Sequence, residues 1–115
     1  MRNLEDILPD DLRWNGIKMP SSIYWAWPFD SIINVINFAE SCGLMIWGGD
    51  VINKELDHTY DNWYQNGDNS LTWAQNCYIG AKKAKEYIDW HHSKFGDDYY
   101  YILSASDDED LMYRD

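Results

Sequence analysis

The chain has 115 residues, 45% of them apolar and 17% aromatic, and twenty Asp and Glu against nine Lys and Arg give a formal charge of −11. One domain of this size buries a core without cross-links or cofactors, and seven Trp with nine Tyr exclude a wholly disordered chain. No stretch approaches the roughly 20 apolar residues of a membrane span, and Met1 to Asp6 is too acidic for a signal peptide, so a cytoplasmic protein without membrane contact is expected.

Leu4 to Leu12 reads as a short helix interrupted by Pro9, with Glu5, Asp6, Asp10 and Asp11 on its wet side and little to give the core. Trp14-Asn15-Gly16 reads as a turn. Ser22 to Trp27 is rich in β-formers and stops at Pro28; alternation places Ile23, Trp25 and Trp27 on one face and Tyr24 and Ala26 on the other. A helix capped by Asp30 or Ser31 then runs to Cys42, with Ile32, Val35, Ile36, Ala39 and Cys42 forming one buried stripe and Gly43 ending it in the left-handed conformation. Leu44-Met45-Ile46-Trp47 is a short apolar run between glycines, read as a central strand that Gly48-Gly49 turns or bulges.

After a loop near Lys54 to Asp57, Thr59 to Tyr64 is the next strand. Asn66-Gly67-Asp68-Asn69 signals a loop, and Ser70 caps the longest helix, which runs to about Lys94. Its core stripe is Ala74, Cys77, Ala81, Ala84, Ile88 and His91, whose small members imply close approach to a sheet. Gly96 stops it, and Tyr99 to Leu103 is a last strand in which one tyrosine ring must face outward if one side of the sheet is solvated. The sum is a small single α+β domain over residues 1–115, a mostly antiparallel sheet with two main helices packed on it, and an acidic C-terminal tail from about 105 that repels itself and is expected to be mobile.

None of the usual chemistries assembles along this chain. The acid pairs Asp10-Asp11, Asp97-Asp98 and Asp107-Asp108 do not fix the separation of several ångströms that a glycosidase needs, and they read as solvated surface. Adjacent His91 and His92 point about 100° apart on a helix and His58 lies in a loop, so no metal site is expected and His91 finishes the apolar stripe with a hydrogen bond. Ser104 to Asp110 lacks the ligand spacing and sixth-position glycine of a calcium loop, while Gly48-Gly49 is too short to cradle a phosphate that the net charge would also repel. Cys42 and Cys77 offer one possible disulfide and no C-x-x-C pair, and both read as reduced core thiols. No cofactor, no catalytic residue and no direct nucleic-acid contact is expected.

Three segments carry a resemblance: Gly43 to Ile52 with its Gly-Gly-Asp, Tyr60-Asp61-Asn62-Trp63-Tyr64, and the helix ending Ala84-Lys85-Glu86-Tyr87-Ile88. In that order they resemble bacterial immunity proteins of polymorphic toxins, including contact-dependent growth inhibition systems, over roughly residues 17–90. The resemblance implies a non-catalytic inhibitor of a cognate toxin domain, with Gly48, Gly49, Asp50, Asp61, Asn62 and Trp63 serving the fold more than the contact. An acidic inhibitor suits a basic nuclease, whose active site or nucleic-acid groove it would occlude. Residues 97–115 hold seven acids against one Arg, so the expected contact is Asp97, Asp98, Tyr99 and Tyr101, with Asp107, Asp108, Glu109 and Asp110. Two other functions fit the composition: a carbohydrate-binding or adaptor module using exposed aromatics, and a small hydrolase with two converging carboxylates. Oligomeric state is left open.

Overall fold

The computed structural model describes residues 1–113. Two short helices, α1 (Leu4–Ile7) and α2 (Asp10–Trp14), lead into β1 (Ile17–Lys18), β2 (Trp25–Pro28), α3 (Phe29–Ser41), β3 (Met45–Asn53), β4 (His58–Tyr64), α4 (Trp73–Phe95) and β5 (Tyr99–Ser106), closed by a 3-10 turn over Glu109–Tyr113. The five strands form one sheet in the order β1-β2-β5-β3-β4, and every neighbouring pair is antiparallel. The expected α+β class holds, and β5, last in the chain, sits at the sheet's centre.

The main core lies between one sheet face and the two long helices. Ile32, Val35, Ile36 and Ala39 of α3 and Ala81, Ala84 and Ile88 of α4 meet Trp27, Ile46, Val51, Tyr101, Leu103 and Ala105. Helix stripe and strand alternation supply the two halves of this layer as their periodicities predict. A smaller cluster of Met19, Ala26, Ile52 and Ile102, with Leu56 and Tyr100 against it, covers part of the opposite sheet face beneath the β1–β2 and β3–β4 loops.

Several expectations require correction. The first segment does feed the core: Leu4 and Leu8 are buried in the main cluster, their i, i+4 spacing turning both inward ahead of Pro9. α3 begins at Phe29 directly after Pro28, so neither Asp30 nor Ser31 caps it. α4 is capped by Thr72 rather than Ser70, in a capping box where Thr72 Oγ1 accepts the Gln75 N–H at 3.1 Å and Gln75 Oε1 accepts the Thr72 N–H at 2.8 Å. Ala74, in the first turn of α4, is exposed, and Asn76 is buried there instead, holding the Asp68 backbone from both sides. Cys42 and Cys77 are free thiols as expected, but only Cys77 is buried, where burial pushes its thiol up to about 11, while Cys42 is half-buried at the core's margin.

β5 runs through Ser106, and the segment after it is tied back. The Arg2 N–H donates to Asp107 Oδ1 at 2.6 Å, Arg2 Nε donates to Oδ2 at 3.1 Å, and Arg2 Nη2 donates to the Cys42 carbonyl at 3.0 Å. These backbone and guanidinium donors hold the Asp107 carboxyl below its usual range.

Candidate partner-binding surface

The glycine pair shapes the sheet rather than turning it. Gly48 and Gly49 lie inside β3, paired with Tyr64 and Trp63 of β4 and with Ser104 and Leu103 of β5. A Cβ on Gly49 would run into the Ile102 carbonyl oxygen and stand 2.8 Å from Trp63 Cζ2; one on Gly48 would stand 2.9 Å from the Tyr64 Cα. Only glycine allows this approach. The β3–β5 register shifts between Ile46 and Gly48, which places the expected bulge at Trp47.

Directly paired residues share a face, so β3 sorts its neighbours into two sets of rows. Trp63, Gly49 and Leu103 lie on the helix side, where the Trp63 ring stacks on Tyr87 at 4.7 Å. Tyr64, Gly48 and Ser104 form one row on the other face, and Asn62, Asp50 and Ile102 the next.

His91 is wholly buried beneath the helix-side layer. Its Nδ1 lies 3.0 Å from the Tyr101 hydroxyl, and its Nε2, 3.6 Å from Asp61 Oδ2, has no hydrogen-bond partner among the described residues. Burial lowers its pKa more than the Asp61 carboxylate raises it. The same burial pushes the Tyr101 hydroxyl up to about 12. The expected hydrogen bond from His91 is therefore present, and its partner is one of the residues expected to meet the toxin.

The residues expected to make that contact do not assemble. Tyr101 is in the core and presents no surface, because its register with Val51 and Trp27 turns it to the helices. Asp97 pairs with His92, Asp98 with Lys54 at 2.9 Å, and Tyr99 is half-buried edge-on against His91 at 5.1 Å. Tyr100 is half-buried too, because Leu56 covers its side of the sheet, so none of the three tyrosines stands out as the solvated-face argument required. Asp107 to Asp110 lie beyond the far end of β5, roughly 23 Å along the strand from Tyr99. One acidic run in sequence becomes two separate places.

Three adjoining clefts lie on the sheet face away from α3 and α4 and around its end beside α1. One, of about 540 Å³, lies between the β1–β2 and β3–β4 loops and is lined by Met19, Tyr24, Asp50, Glu55, Leu56, Asp57 and His58, among others. A second, over the Gly48 row, is lined by Trp47, Asp50, Asn62, Tyr64 and Ser104, and a third by Glu5, Ile23, Tyr24, Trp47, Ser104 and Asp108. Shared walls at Asp50, Tyr24, Trp47 and Ser104 make them one trough. Of these residues, the sequence singles out Asp50, Asn62 and Asp108; period-two alternation sets Tyr24 opposite Trp25 and Trp27, which is the available signal for an outward ring. The same alternation wrongly groups Ile23 with the two tryptophans, because β2 starts only at Trp25 and Ile23 precedes it, 59% exposed.

A family model described as Immunity protein 40 matches residues 14–105. No curated protein and no solved structure gives a significant match to the chain. The family match takes in the three resembling segments and reaches past residues 17–90 at both ends.

Proposed function

The chain belongs to the Immunity protein 40 family, and we propose that it protects by seizing a basic cognate toxin domain, a nuclease, and covering its active site or nucleic-acid groove. Immunity against a toxin follows from the family; the basic nuclease and the mode of block are our reading. The observation that carries it is the charge. A chain at −11 creates a field that repels phosphate-bearing ligands and draws a cationic domain, so it mimics the polyanion such a nuclease binds. Charge sets the encounter rate, and buried aromatic anchors set how long the complex lasts.

The test is capture of the toxin domain encoded beside this chain by the tagged protein, at low and high salt, with toxin activity read in the same tubes. A complex that silences a nucleic-acid-cleaving domain and weakens with salt supports the reading. Absence of a complex at both salt concentrations, or a captured toxin that stays active, overturns it.

A further inference from the structure

The trough lies on the sheet face that α3 and α4 leave uncovered. We propose that it is the docking surface, and that its occupant is a Lys- and Arg-bearing segment of the toxin domain. The inference rests on the immunity reading and goes beyond it by placing the contact away from the acid-rich C-terminal stretch.

Charge complementarity selects the occupant. Among the described residues, Glu5, Asp50, Glu55, Asp57 and Asp108 line the trough, no Lys or Arg lines any of its three clefts, and none of the five acids is ion-paired. A standard contact uses about 800 Å² per partner. Against the 6642 Å² of this surface, twenty evenly scattered acids would place about two or three in such a patch. The trough holds twice that number. The described cations are engaged or face other ways: Arg2, Arg13 and Lys54 are tied to Asp107, Asp10 and Asp98, Lys18 donates to the Ser22 carbonyl and stands with Arg13 in a neighbouring cleft that shares Glu5 and Ile23 with the trough, and Lys82, Lys83, Lys85 and Lys94 ride on α4 behind the sheet.

The trough also has what acids alone lack. Tyr64 is 80% exposed, Ile23 59% and Tyr24 39%, three apolar bodies around a floor kept low by Gly48 and Ser104. Long cationic side chains can lay their stems on these rings and bring their charges to Asp50 and Asp57. By contrast, three of the C-terminal acids, Asp97, Asp98 and Asp107, already have partners, and meeting a toxin there would first require breaking those pairs.

The probe is the purified toxin domain encoded beside this chain, with association and dissociation measured at low and physiological salt and growth protection scored in cells. Four proteins are compared: the native chain; a charge variant, Asp50→Asn with Glu55→Gln and Asp57→Asn; an anchor variant, Tyr64→Ala; and a control, Asp97→Asn with Asp98→Asn. The charge variant should associate about tenfold more slowly at low salt with a flatter salt dependence, and the anchor variant should dissociate about tenfold faster. The control should stay within about twofold of the native chain. Thermal melts verify that each variant is folded, and Tyr64→Ala, at an exposed edge position, tests the surface by itself if the triple variant melts early.

Unchanged kinetics in both trough variants, or a loss confined to the control, overturns the placement while leaving the immunity reading intact. A native chain that fails to bind the domain overturns both.

Discussion

His91 carries the clearest consequence at the scale of single residues. Its buried ring is surrounded by Tyr101, Tyr99, Tyr87 and Phe95, with Asp61 and His92 as the charged or chargeable neighbours. A folded pKa below that of the unfolded chain means that the unfolded chain takes up the proton first. The stability tied to neutral His91 is therefore whole above about pH 6.5 and is lost as pH falls from there towards the lower folded value. Thermal melts between pH 8 and pH 5 should show the midpoint dropping through that window, and His91→Gln, which can still pair with the Tyr101 hydroxyl, should flatten the drop. An equally steep acid limb in the variant would assign it to other groups. The burial of His91 was legible in the sequence as the end of an apolar stripe, whereas its Tyr101 partner was not: period two puts Tyr101 and Tyr99 on one side without saying which side holds the helices.

Among the elements, the helices were more legible than the short strands, and their stabilities rest on different terms. The α3 and α4 stripes announce themselves over many turns, but two-residue β1 has no period to show, and Pro9 disguised the inward pair Leu4 and Leu8. Glycine was ambiguous for another reason. Gly48-Gly49 in a sequence marks either a turn or a backbone that must come close, and only the position of the Trp63 ring decides. The structure makes the first segment a structural part of the domain: Leu4→Ala empties a wholly buried site and should cost about 2–5 kcal/mol, while Thr72→Ala removes one cap of a long, well-packed helix and should cost about 1 kcal/mol. Denaturant unfolding of the two variants ranks them directly, and a smaller loss for Leu4→Ala than for Thr72→Ala would mean that α1 is only loosely attached.

Across the whole molecule, most of the lysines are gathered on one side of the sheet, although α4 also carries Glu86 and Asp89 there. The acids of the trough face one way, while four of the nine cations, Lys82, Lys83, Lys85 and Lys94, sit on the helix that covers the other side of a body whose short axis measures 23 Å. This arrangement was not legible in the sequence, because Glu5 of α1 lies far along the chain from Asp50 and Asp57 of the β3–β4 hairpin and comes near them only when β5 inserts between β2 and β3. Its consequence depends on screening. At physiological salt the Debye length is about 8 Å, well short of the body's thickness, so an approaching cationic surface senses the near side almost alone. Neutralising Lys82 and Lys83 as Gln should therefore leave association with the toxin domain within about twofold at physiological salt. The same change should speed it measurably at low salt, where the Debye length reaches about 30 Å and the far-side lysines oppose the approach of a cation. Slower association at physiological salt would place α4 itself in the contact and turn the molecule around.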